Sequence, residues 1–160
     1  MKIWKFVAGS LLFGFAGASV AFAEVVVSDA WVRGMVKGQT ETGAFMTLKS
    51  TEATQLIQAS SPIVKMVQIH EMSMDKDMMT MRPVKALDIP ANKPVVLKPG
   101  AYHVMLIGLD KPLLKGELVP LKLTFVSKAG IKSTVDVQAE VHDLTQPNPS
   151  IKMDGMNMPK

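Results

Sequence analysis

Short segments in which apolar and polar residues alternate make up most of this chain, and they restrict it to a β-sheet fold. Between residues 133 and 141, for example, Val135, Val137, Ala139 and Val141 would share one face of a strand, and the polar residues between them would share the other. Glycine and proline breakers separate many of these segments, and no helical period of comparable length follows residue 24. The pattern predicts an all-β fold, as an antiparallel sandwich or barrel. Strands are predicted at 25–33, 43–49, 55–59, 64–72, 78–84, 94–97, 102–109, 118–126 and 132–141.

The first 23 residues predict a secretory signal peptide. Lys2 and Lys5 precede an apolar run at 6–20, and Ala21-Phe22-Ala23 forms a small-residue cleavage site. Cleavage after Ala23 would place the protein in the periplasm, with an uncleaved membrane anchor as the alternative. No cysteine follows the apolar run, so we expect no lipid anchor and no membrane anchor after cleavage.

Residues 24–144 are then expected to form one domain, followed by a flexible tail at 145–160 that is rich in proline and polar residues. The chain has no cysteine and therefore no disulfide, so burial or a ligand must stabilise it. Its net charge of +4 includes Lys2 and Lys5, and the other lysines are scattered, which argues against a nucleic-acid partner. No set of acid, base and nucleophile stands out, and we expect that the protein is not an enzyme.

Two histidines and two methionines form a candidate metal site. Met81 follows His70 after ten intervening residues, His103 follows after twenty-one more, and Met105 lies two positions further on. Thioether sulfur is a soft ligand that suits Cu(I), with imidazole as an acceptable partner, whereas Mg²⁺ and Ca²⁺ prefer oxygen. A blue-copper centre would require a cysteine thiolate, so an electron carrier of that kind is excluded.

The period of two along a strand supports this grouping. His103 and Met105 would project to one face of their strand, and the pairs His70 with Met72 and Met79 with Met81 would do the same on theirs. Each residue taken singly has a simpler explanation, because strand methionines usually fill cores and histidines often bind neighbouring polar groups. Core packing alone does not readily explain why histidine and methionine side chains would gather on the same face of three predicted strands.

The spacing and its flanks resemble the periplasmic copper chaperones of the PCu(A)C family. The resemblance extends from Val25 to about Val141 and rests on these segments: Ala30-Trp31-Val32-Arg33, Phe45-Met46-Thr47-Leu48, Ile69-His70-Glu71-Met72, Met81-Arg82-Pro83-Val84 and 97–106 with its Pro99-Gly100 and His103-Val104-Met105. Two departures are Ala101, where the family usually has a second glycine, and 75–78, which lack a common glycine turn.

The resemblance implies a cupredoxin-like β-sandwich with Greek-key topology that binds Cu(I) through His70, Met81, His103 and Met105. It further implies delivery of copper to the dinuclear centre of cytochrome c oxidase subunit II, with a Sco-type protein as another partner, and we expect a monomer. Met72 is kept as an auxiliary ligand. A second group, Met153, Met156 and Met158 with His142 upstream, suggests an auxiliary tail site, which could also take Cu(II), although incidental methionines in a disordered end are the preferred explanation.

Two other functions stay open at this point: a periplasmic copper buffer without a dedicated recipient, and a metal-free binding sandwich. Trp31 is expected to be a buried anchor of the sandwich rather than a residue that stacks on copper. Arg33 and Arg82 are either partner contacts or ordinary surface charges, and the sequence does not choose between them.

Overall fold

Ten β-strands and no helix make up residues 23–143, which are the residues that the computed structural model describes. The predicted signal peptide before Ala23 and the predicted tail at 145–160 lie outside them. The strands are β1 Val25–Arg33, β2 Glu41–Ser50, β3 Thr54–Ser60, β4 Met66–Asp75, β5 Met78–Val84, β6 Leu87–Ile89, β7 Val95–Leu97, β8 His103–Ile107, β9 Leu118–Ser127 and β10 Lys132–His142. Within this part of the chain there is no helix long and apolar enough to cross a membrane.

The strands form one hydrogen-bonded path in the order β5-β4-β8-β2-β1-β10-β9-β3-β6, and β7 pairs with β2. All pairs along the path are antiparallel except β1 with β10, which run parallel from Trp31↔Glu140 to Arg33↔His142. The sheet is therefore mixed, whereas the sequence predicts antiparallel pairing throughout. Whether two strands far apart in sequence run parallel or antiparallel depends on how the two halves of the sheet pack. The alternation of residues along a single strand does not contain this information.

One apolar core joins the two halves of this path. Val104 and Leu106 of β8 and Leu48 of β2 contribute from one half, and Leu123 and Phe125 of β9 contribute from the other. All five side chains are fully buried. The all-β sandwich that the sequence predicts is confirmed, and alternation gives the inward face of β9 and β10.

The boundaries of β1 and β5 match the prediction, and those of the other predicted strands except β4 agree within two residues. Larger differences are found at β6 and β4. Strand β6 is absent from the prediction, because Leu87-Asp88-Ile89 is too short to show a period. Strand β4 continues to Asp75, beyond the predicted end at Met72, since a two-residue turn at Lys76-Asp77 pairs Asp75 directly with Met78. This longer hairpin extends the row of side chains around the candidate site.

Candidate metal centre

The three strands that contain the four predicted ligands lie side by side in the order β5-β4-β8. His70 is directly opposite His103 in the register of β4 and β8, and Met105 is opposite Gln68. On the other side of β4, Met72 is opposite Met81 of β5. Because residues two apart share a face, His70, Met81, His103 and Met105 all project to one side of this three-stranded region, together with Met72.

The two imidazoles are buried, whereas one candidate thioether is well exposed. His70 is 8% exposed and His103 is 5% exposed, while Met81 keeps half of its surface in contact with solvent. The ring centroids of the two histidines are 5.7 Å apart, and the angle between the ring planes is 67°. Met72, Met81, His103 and Met105 line an open cleft of about 600 Å³, and His70 is the cross-strand neighbour of His103.

Each imidazole keeps one nitrogen without a protein partner in the described part of the chain. Nε2 of His70 donates to Oε1 of Gln68 at 2.9 Å, which leaves Nδ1 buried and unsatisfied. Nδ1 of His103 donates to the carbonyl oxygen of Ala101 at 3.1 Å, which leaves the lone pair on Nε2. A buried polar atom without a partner is costly, and a bound cation would satisfy it.

The electrostatics of the site favour neutral imidazole. Burial lowers the pKa of His70 below its ordinary value, the neighbouring His103 lowers it further, and Glu41 opposes both effects. An imidazole binds a metal ion only in its neutral form. The environment of His70 disfavours the protonated form and therefore favours the form that can bind.

A tight turn before β8 positions His103. Ala101 N–H donates to the carbonyl of Lys98 at 3.1 Å across Pro99-Gly100, and Gly100 has a positive φ of 82°, as the third position of a type II turn requires. The Ala101 carbonyl then accepts from both His103 and the backbone of Met72. Only Gly100 needs the left-handed conformation, so alanine at 101, the first departure from the family pattern, fits this loop.

Aromatic side chains that sequence reasoning did not group with the site extend from His103 across the same face. The ring of Phe45 lies 6.2 Å from His103 and 4.5 Å from Trp31, and Trp31 stacks on His142 at 5.4 Å. Trp31 is buried, as predicted, but in this outer cluster and not among the residues of the central core. Arg33 packs its guanidinium over Phe45, 5.7 Å from the ring centroid. The flank residues Trp31, Arg33 and Phe45 therefore form one wall next to the imidazoles.

The opposite face of the same three strands is fastened by a polar network that the sequence analysis missed. Arg82 donates twice to Oε2 of Glu71, at 2.9 and 3.1 Å, and the hydroxyl of Tyr102 donates to Oε1 at 2.8 Å. The hydrogen bonds from Arg82 and Tyr102 lower the pKa of Glu71, and the carboxylate in turn raises the pKa of Tyr102. Each of these residues adjoins a candidate ligand in sequence, so the network links β5, β4 and β8 behind the site.

The donor set is soft and neutral. Within residues 23–143 no group of three or more His, Cys, Asp or Glu side chains could hold a metal ion, and the candidate ligands are two imidazoles with thioethers. Such ligands match Cu(I) better than hard cations, and the unsatisfied nitrogen of His70 fits a bound ion. The predicted auxiliary residues Met153, Met156 and Met158 lie outside the described residues, and His142 stacks on Trp31.

Comparison of the sequence with known proteins identifies a family and a relative. Residues 25–141 match the family model described as LpqE-like. The protein Lxx21020 of Leifsonia xyli subsp. xyli, whose name calls it a lipoprotein, is 33% identical over 131 residues, which cover 80% of this chain and 75% of the relative. The present chain contains no cysteine.

Three solved structures share the fold. The apo PCuAC domain from PmoF1 superposes with a TM-score of 0.60 at 19% identity, covering 74% of this chain and 93% of that domain. The copper-bound PCuAC domain from PmoF2 gives 0.56 at 20% identity, with 76% and 100% covered. The Cu(I) form of DR1885 from Deinococcus radiodurans gives 0.52 at 31% identity, with 79% and 82% covered. By sequence and by fold, this chain belongs to the LpqE-like family of PCu(A)C type.

Proposed function

We propose that this protein is an extracytoplasmic Cu(I) chaperone that holds copper through His70, Met81, His103 and Met105. The observation that carries the proposal is the pair of buried imidazoles, each with one nitrogen that has no protein partner among residues 23–143, beside thioethers from the same and neighbouring strands. Similar proteins are described as copper-bound or in a Cu(I) form. The lipoprotein name of the relative and the apolar segment at 6–20 support a location outside the cytoplasm, for which we propose the periplasm.

The ligand chemistry supports transfer of copper over permanent retention. Imidazole and thioether are neutral, so they leave the charge of the ion uncompensated, and a partner that offers thiolates would hold it more strongly. Half of the Met81 side chain is exposed, so an incoming ligand can reach this side of the site directly. We propose the dinuclear copper centre of cytochrome c oxidase subunit II as the recipient, with a Sco-type protein as an intermediate partner.

Copper binding is tested by anaerobic Cu(I) titration of the purified protein against a chromophoric chelator. We expect one tight equivalent, which is lost in the double variant His103→Ala/Met105→Ala. A suitable control is Gln55→Ala, which removes an exposed hydrogen bond to Asp88 on β6 and none of the candidate ligands. Equal binding by the wild type and the double variant would overturn the site.

Delivery needs a separate experiment, in which the loaded protein is mixed with the apo copper-centre domain of the oxidase subunit. Appearance of the absorption of the dinuclear centre, with loss of copper from the donor, would support the chaperone. Retention of copper by a protein that binds it tightly would contradict delivery and favour a copper buffer.

A further inference from the structure

We propose that Met74 and Met79, at the outer end of the β4–β5 hairpin, form a second Cu(I) site beyond the first. The two residues are directly opposite each other in the hairpin, next to the pair Met72 and Met81. These four residues, the methionine ladder, occupy one face of two paired strands. The inference extends the proposed function, because it assigns to the ladder the capture of the same ion.

The spacing of the ladder suits two-thioether coordination. Directly opposite residues of antiparallel strands have Cβ atoms about 4.5–5.5 Å apart, a separation that two flexible thioether side chains can close around one soft ion. A step of two residues along a strand is about 7 Å, so the outer pair lies one step beyond Met72 and Met81 and two steps beyond His70. The ladder therefore forms a continuous row of soft donors from the hairpin end to the buried imidazoles.

The methionines at 74 and 79 are not there to fill the core. Met74 is 67% exposed and Met79 is 57% exposed, so neither fills a core. Single exposed apolar side chains are common, but adjacent ones that form a patch, as Met74 and Met79 do beside the half-exposed Met81, often mark a site of interaction. Met66 provides a contrast on the same face of β4: it is 50% exposed, but its cross-strand neighbour on β8 is Ile107, which offers no sulfur.

The surroundings of the outer pair are open and polar. The hairpin ends in Asp75-Lys76-Asp77, and Ser73 and Thr80 are opposite each other between the two methionine pairs, with their hydroxyl oxygens 3.3 Å apart. Their side chains lie on the other face of the hairpin, so they do not intervene between the thioethers. An ion can thus reach Met74 and Met79 from solvent without any movement of the sheet.

The test is a titration of the purified protein, labelled with ¹³C at the methionine methyl groups, with Ag(I) as a redox-inert substitute for Cu(I). We expect the first equivalent to shift the methyl signals of Met81 and Met105, and the second to shift those of Met74 and Met79. The signal of Met66 serves as the internal control and should not move. The variant Met74→Leu/Met79→Leu should lose the second equivalent and keep the first.

The outcomes separate this inference from the proposed function. If further Ag(I) leaves Met74 and Met79 unmoved, or moves them no more than Met66, the outer site is refuted while the first site stands. If Met74 and Met79 respond but Met81 and Met105 do not, the outer site stands and the proposed chaperone site fails. A second equivalent that persists in the leucine variant would also refute the outer site.

Discussion

At the scale of single residues, the metal centre depends on partners that no ligand pattern would reveal. His70 and His103 are each held by one hydrogen bond, to Gln68 and to the Ala101 carbonyl respectively, and each keeps its other nitrogen for an ion. Gln68 shares the face of His70 because it lies two positions earlier on β4. The four candidate ligands stand out by residue type and spacing. Gln68 does not, because glutamine has no metal chemistry of its own and its role comes from the pairing of β4 with β8.

Replacing Gln68 with leucine should weaken Cu(I) binding by about tenfold, the usual cost of losing a residue that orients a metal-binding histidine. The ring of His70 would lose its only acceptor among the described residues and could rotate away from the binding orientation. Competition with a Cu(I) chelator measures the change. Gln55→Leu on β3 is the matched control and should bind as the wild type does, and equal affinities for both variants would contradict an orienting role for Gln68.

At the scale of elements, the β4–β5 hairpin shows where the sequence misleads. Both residues of its turn, Lys76 and Asp77, have positive φ values of 45° and 66°, a conformation that normally selects glycine or asparagine. Without a glycine at 75–78, the sequence does not show that the turn between the two strands is only two residues long, and it predicts that β4 ends too early, at Met72. The consequence reaches the site, because the missed residues include Met74, half of the outer methionine pair.

The same turn predicts a stabilising substitution. Asp77→Gly should raise the free energy of unfolding by about 1 kcal/mol, because glycine adopts the left-handed conformation without a steric cost. Urea denaturation followed by circular dichroism measures the gain. Asp75→Gly is the control, since Asp75 is an extended strand residue and glycine there should give no gain. A gain of the same size from both substitutions would show that charge, and not backbone strain, is responsible.

At the scale of the whole molecule, the core follows from the alternation of apolar and polar residues along each strand, whereas the surroundings of the candidate site depend on which strands pair. Leu121, Leu123 and Phe125 are buried at every second position of β9, as their sequence predicts. The pairing of β1 with β10 brings His142 beside Trp31, although more than a hundred residues separate them, and no local pattern specifies this contact. Sequence alone therefore gives the fold class and the candidate ligands, while the outer aromatic cluster is seen only in the folded chain.

Copper should stabilise the entire domain, because its ligands come from three strands of one sheet. With free Cu(I) at a hundred times Kd, the free energy of unfolding should rise by about 2.7 kcal/mol. Anaerobic thermal or chemical denaturation with and without Cu(I) measures the change. The variant His103→Ala/Met105→Ala should show no comparable increase, and a rise of equal size in that variant would assign the effect to binding elsewhere.

The direction of β1 also determines how the molecule would be presented if it were held by the beginning of this strand. Arg33, at the end of β1, lines the cleft, whereas Val25, at the beginning of the same strand, pairs with Ser50 about 25 Å away. Attachment to a surface through the chain before Glu24 would hold the sandwich by the end opposite the metal centre. The cleft would then face outward, toward an approaching recipient, and the attached surface would not block it.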